Sequence, residues 1–182
     1  MKIYQLLESS NLLYHGDNVG TTRLRPEWMM HGKSINQEGV GIYFSPDIAV
    51  AESYGSKISS IPREGLRIVD SRAPVGKVIP ANNAIKLFTY LNEVNEDFWY
   101  MISDYTEVSG PDEITNAHLR KLFMLTSVGE IRNWQIELAQ ASSTVDLVTG
   151  WNKYINIDGV YEKKSNFYAI INTSIVATPV NF

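Results

Sequence analysis

Apolar positions along this chain change their spacing twice, and the changes divide it into β-patterned ends around a helical middle. Residues 2–9 place Ile3, Leu6 and Leu7 on one side of a short helix. Residues 11–15 then read as a strand ending at Gly16. From Thr21 to Lys33 no period holds, which predicts irregular or partly helical chain. In "GVGIYFSP", glycines precede a β-rich run and a proline stops it, so Val40–Ser45 is a strand. Ser45, with Asp47 shortly after, caps a helix through "DIAVAESYG", with Pro46 in its first turn and Gly55 at its end.

A further strand is expected at Leu66–Asp70. Helical spacing follows from Ala81 to about Tyr105, and again from Pro111 to about Ser127, with "SGPDE" as the break. "GEIRNWQIELAQASSTVDLVTGWNKY" continues it, with Ile131, Trp134, Leu138 and Ala141 near one stripe. The tail returns to a β pattern in "INIDGVYE" and "NFYAIINTSIVATP", separated by the turn "KKSN". No repeat or low-complexity tract interrupts this order. It predicts one α+β domain over residues 1–182 with a helical insertion at about 81–130.

Composition narrows the chemistry. With no cysteine, a disulfide framework, thiolate zinc sites and a cysteine nucleophile are excluded, and a reducing compartment fits. A net charge of −4 provides no basic field to recruit nucleic acid, so no dedicated DNA binding is expected. No run approaches the roughly 18 apolar residues of a membrane span, and the N-terminus lacks a signal-peptide core. The expected location is the cytoplasm, with no membrane partner. His15, His31 and His118 have no metal-like spacing, so no metal is expected. Rossmann, P-loop and serine-hydrolase turn signals are missing. Glu137, in "NWQIEL", reads as a solvent-facing helical acid.

Two stretches remain. "NLLYHGDNVG" sets His15 beside an apolar run, where a histidine on its own reads as a structural residue. "EGVGIYFSPDIAVAESYG" carries Tyr43 in a strand and Tyr54 at the end of the next helix. Each tyrosine alone reads as core; together they are able to sandwich a planar ring, worth about 0.5–1.5 kcal/mol beyond burial.

Taken in order, Tyr14-His15-Gly16, Gly41-Ile42-Tyr43-Phe44-Ser45, then Ala51 and Tyr54-Gly55 resemble the ADP-ribosyltransferase superfamily. The similar branch carries a histidine–tyrosine–glutamate triad and includes the poly(ADP-ribose) polymerases. The resemblance covers residues 11–57 and does not extend to the helical middle. It implies two small bent β-sheets around a cleft for NAD, the co-substrate. His15 would bond the adenosine ribose and the Gly16 backbone the nicotinamide carboxamide. Tyr43 and Tyr54 would hold the nicotinamide ring between them, with Ser45 also in the cofactor site. The implied reaction transfers ADP-ribose to a macromolecular acceptor, a protein, and releases nicotinamide. Short members of this kind are phage or bacterial effectors or counter-defence proteins, acting in the host cytoplasm.

The family glutamate stands on a late strand, where this chain has Asn166 and Phe167. Some divergent phage and bacterial relatives carry their acid just after a similar Gly-Val step, so the resemblance implies Glu162 as the catalytic acid, with Asp158 and Glu137 next; beside Lys163 and Lys164, Glu162 reads equally as a solvated residue. The alternative is a catalytically inactive module of the same fold that binds a partner or a nucleotide. Its docking surface would be the aromatic helical middle (Phe88, Tyr90, Phe98, Trp99, Tyr100, Tyr105), which also reads as ordinary core. Removal of a 2′-phosphate from RNA would want several cleft arginines, where only Arg23 and Arg25 are near.

Overall fold

Strand β1 spans Leu12–Asp17, with Leu13 and Gly16 buried, Leu12 exposed and Tyr14, His15 and Asp17 part-buried. The structure, a computed structural model, describes residues 11–29, 40–95, 98–138 and 141–181, with backbone alone at 134–138 and 141–144. The helix expected at 2–9 and His31 lie outside the described residues.

Strand β2 (Ile42–Phe44) is shorter than its sequence pattern, because Gly41 takes φ 147, a conformation open to glycine, and Ser45 makes only an isolated bridge to Tyr14. Helix α1 (Ile48–Glu52) is capped by Asp47, whose carboxylate accepts from the Ala49 amide at 2.9 Å. The cap is therefore one residue past Pro46, and Ser45 lies outside the helix. Strand β3 (Lys57–Pro62), to which the sequence pattern assigned nothing, follows at once.

β1 and β3 pair antiparallel, and the short β7 (Thr178–Pro179) adds to the other side of β3. The second sheet has the order β2-β6-β5-β4, with β4 at Ile68–Asp70, β5 at Gly159–Glu162 and β6 at Phe167–Ile170. The result is α+β with two sheets, of three and four strands. β4 and β5 run parallel, which requires a long crossover between them.

That crossover holds the whole helical middle: α2 (Val75–Val78), α3 (Ala81–Val94), α4 (Phe98–Thr106), α5 (Asn116–Leu125), α6 (Val128–Leu138) and α7 (Ala141–Tyr154). It extends beyond 81–130 at both ends, and each long helical stretch divides into two helices. α5 starts on a capping box, in which His118 Nδ1 accepts from the Thr115 amide and Thr115 Oγ1 from the His118 amide. His118 thus shapes a helix terminus. Of the aromatic middle, Phe88 and Phe98 stack at 6.3 Å inside the core, while Tyr100 is exposed. No described helix is long and apolar enough to cross a membrane.

Candidate functional site

Register decides which side chains share a face of the four-stranded sheet. Tyr43 lies opposite Ala169, Ala169 opposite Val160, and Phe167 opposite Glu162. Residues directly opposite, and residues two apart on one strand, point the same way. Tyr43, Phe167 and Glu162 therefore share one face. Two strand spacings and two residue rises separate the Tyr43 and Glu162 backbones, on the order of 12 Å.

Phe167 gathers the aromatic cluster. Its ring lies 6.1 Å from Tyr43 and 6.0 Å from Tyr54, edge-on to both. Tyr54 reaches this point from the turn after α1 and stays more than half exposed. The two tyrosines named from the sequence thus converge, on a third ring whose position had stood out only for its missing acid.

What brings α1 close is the absence of two side chains. A Cβ on Gly16 would collide with the Ala51 carbonyl, and one on Gly55 with the Asp17 backbone. Gly16 also shapes the strand edge. Tyr14 exchanges both backbone hydrogen bonds with Ser45, each at 2.7 Å. Strand alternation turns the N–H and C=O of Gly16 toward that same edge. Ser45 is buried, and its Oγ accepts from the Asp47 amide at 3.0 Å, so it shapes the turn into α1.

His15 joins β1 to β2. Its Nδ1 lies 2.8 Å from the Tyr43 carbonyl, its Nε2 lies 3.3 Å from Asp17 Oδ2, and its ring tilts against Phe44 at 5.5 Å. Nδ1–H donates to the carbonyl; Nε2, facing a carboxylate, has a proton to give only when the ring is charged. Both nitrogens are engaged, so a bond from His15 to a ribose hydroxyl would replace the Asp17 contact.

Asp17 was not singled out by the sequence, and it organises the turn after β1. Its carboxylate accepts from the amides of Val19, Gly20 and Thr21 and from Thr21 Oγ1. Aspartate followed by Asn, Gly and Thr is the usual composition of such a turn, the one signal available. Burial alone would raise the Asp17 pKa. Hydrogen bonds from the Thr21 hydroxyl and the Gly20 and Thr21 amides, with the charge of His15, outweigh it and hold the pKa below its ordinary value. A depressed folded pKa gives stability that is present above 3.8, the unfolded value, and lost as pH falls through the lower folded one. Urea titrations from pH 6 downward should therefore show wild type losing stability below about pH 4, with a visibly shallower loss in Asp17→Asn. Parallel curves would refute that role.

Glu162 has a partner the sequence did not reveal. Arg132, on α6, is fully buried, and its Nη2 donates to Glu162 Oε1 at 2.5 Å. Among the described residues, Arg132 Nε and Nη1 find no acceptor. Glu162 is thus neither free nor simply solvated beside the lysines. Asp158 stands at the far end of β5 with both oxygens committed, one to the Arg67 amide at 2.8 Å and one to Asn172 Nδ2 at 2.6 Å. It latches strand ends together, at the opposite end of β5 from Glu162. The side chain of Glu137 lies outside the described residues.

No family model, curated protein or solved structure matches this chain.

Proposed function

We propose that this chain is an ADP-ribosyltransferase, moving ADP-ribose from NAD to a macromolecular acceptor, a protein, with release of nicotinamide. The observation that carries the reading is the convergence of Tyr43, Tyr54 and Phe167 near the strand edge of Gly16, with Glu162 on the same sheet face as Tyr43 and Phe167. The Gly16 N–H and C=O are a donor–acceptor pair suited to a carboxamide. The three rings hold the nicotinamide, and His15, released from Asp17, takes a ribose hydroxyl. Glu162 would face the positive charge that develops at the anomeric carbon as the glycosidic bond breaks. Fixing these groups in advance lowers the barrier by orientation and electrostatics. The fitting setting is a phage or bacterial effector in a host cytoplasm.

The test is nicotinamide release and label transfer from NAD, with a cell lysate as acceptor source, in wild type, Tyr43→Ala and Glu162→Asp. Aspartate keeps the charge that Arg132 needs and withdraws the carboxylate by one methylene. A displacement of about 1 Å costs on the order of 100-fold in rate, so Glu162→Asp should lose about that factor, and Tyr43→Ala, which removes a ring of the cluster, should lose turnover as well. Turnover unchanged in Glu162→Asp would remove Glu162 from the chemistry.

One observation favours a second reading. A carboxylate already neutralised by a buried guanidinium suits a structural ion pair, and so a catalytically inactive module that binds a partner or nucleotide. NAD binding without turnover in wild type would decide for it.

A further inference from the structure

The register that puts Tyr43 and Glu162 on one face puts Asp70, Tyr161 and Tyr168 in a row on the other. These three line a cleft of about 490 Å³, within the roughly 300–1,000 Å³ of small-molecule pockets. The Tyr161 and Tyr168 rings lie 4.9 Å apart; Tyr168 is buried, which leaves the half-buried Tyr161 as the aromatic surface open to the cleft. Across from them comes Arg63, just past the end of β3 in the other sheet, with its guanidinium 5.2 Å from the centre of the Tyr168 ring. Asn166 closes the rim. Its Oδ1 accepts from the Tyr161 hydroxyl at 3.1 Å, which leaves its Nδ2 as a donor.

Charge selects the ligand class. Asp70 gives both oxygens to Arg72, at 3.0 and 2.8 Å, and that pair cancels. Among the described residues, no carboxylate lies within ion-pair distance of Arg63. The cleft therefore combines an aromatic wall, one uncompensated planar cation and an amide donor.

We propose that this cleft binds a mononucleotide, its base against Tyr161 and its phosphate on Arg63. Guanidinium matches phosphate bidentately, and tyrosine faces accept any base. The site is separate from the proposed NAD site and does not depend on it.

Isothermal titration with uridine 5′-monophosphate, uridine and inorganic phosphate tests this, using wild type, Arg63→Gln and Tyr161→Leu. Uridine monophosphate should bind at least tenfold more tightly than either fragment. Arg63→Gln should erase its advantage over uridine, and Tyr161→Leu should weaken both nucleotide and nucleoside several-fold. Arg63 is exposed and Tyr161 only half-buried, so both variants should fold, which circular dichroism checks. Equal binding of all three probes, or indifference to either substitution, would overturn the proposal.

Discussion

Glu162→Gln should destabilise the protein by about 3–5 kcal/mol, far more than loss of an exposed carboxylate. The reason lies in its partner. Arg132 is fully buried, and Glu162 is its one carboxylate among the described residues. A buried ion pair is weak evidence of net stability, since desolvating two charges offsets their attraction. Removing one member differs, because it leaves a charge in the interior with nothing to balance it. Two further guanidinium nitrogens already lack acceptors among the described residues, so Arg132 has little to fall back on.

Urea denaturation at pH 7 measures the effect, and the double variant Arg132→Met/Glu162→Gln isolates it. With the buried charge gone, the double variant should be more stable than Glu162→Gln alone, and with the Arg132→Met single variant the non-additivity gives the coupling. A Glu162→Gln protein within about 1 kcal/mol of wild type would show that water or another group satisfies Arg132. The consequence for function is direct. Loss of turnover in Glu162→Gln would not separate a catalytic acid from a broken structural pair, which is why aspartate is the informative replacement.

How far the sequence foretold this arrangement depends on the range over which each feature is encoded. The β-patterned ends and helical middle were legible because period is local. β3 was not, because its interior reads Ile-Ser-Ser-Ile. Ser59 and Ser60 are both buried between β1 and β7, so a central strand lacks an apolar run. The division of 81–105 into two helices falls at Asn95, with no glycine or proline to announce it. Tyr43 and Tyr54 were named together, and their meeting at Phe167 follows from the β2–β6 register and from the close seating of α1 on β1, which no local pattern states. Arg132 is the clearest case. In "GEIRNW" it looks like an ordinary surface arginine, and its carboxylate lies 30 residues away on β5.

Gly16→Ala should cost roughly 3 kcal/mol or more, the upper end for adding one methyl to a packed site. Backbone strain is not the cause, since Gly16 is absent from the positive-φ residues. Space is the cause. The added Cβ would fall far inside the 3.0 Å that real Cβ contacts keep, and it would meet the Ala51 carbonyl oxygen and carbon. A flexible side chain swings aside cheaply; a helix backbone does not. α1 would have to back away from β1, and Gly55, held as closely against Asp17, ties down its other end. Gly110→Ala is the matched control. Nothing lies within 4 Å of its Cβ position and its φ of −165 suits any residue, so its unfolding midpoint should hold or rise slightly. A Gly16→Ala midpoint equal to that of Gly110→Ala would mean that α1 is not seated on β1 as described. The same displacement would carry Tyr54 away from Phe167 and shift the strand edge at Gly16. On the proposed transferase reading, a Gly16→Ala protein that still folds should therefore bind NAD more weakly than Tyr43→Ala does, because it loses the edge and an aromatic wall together.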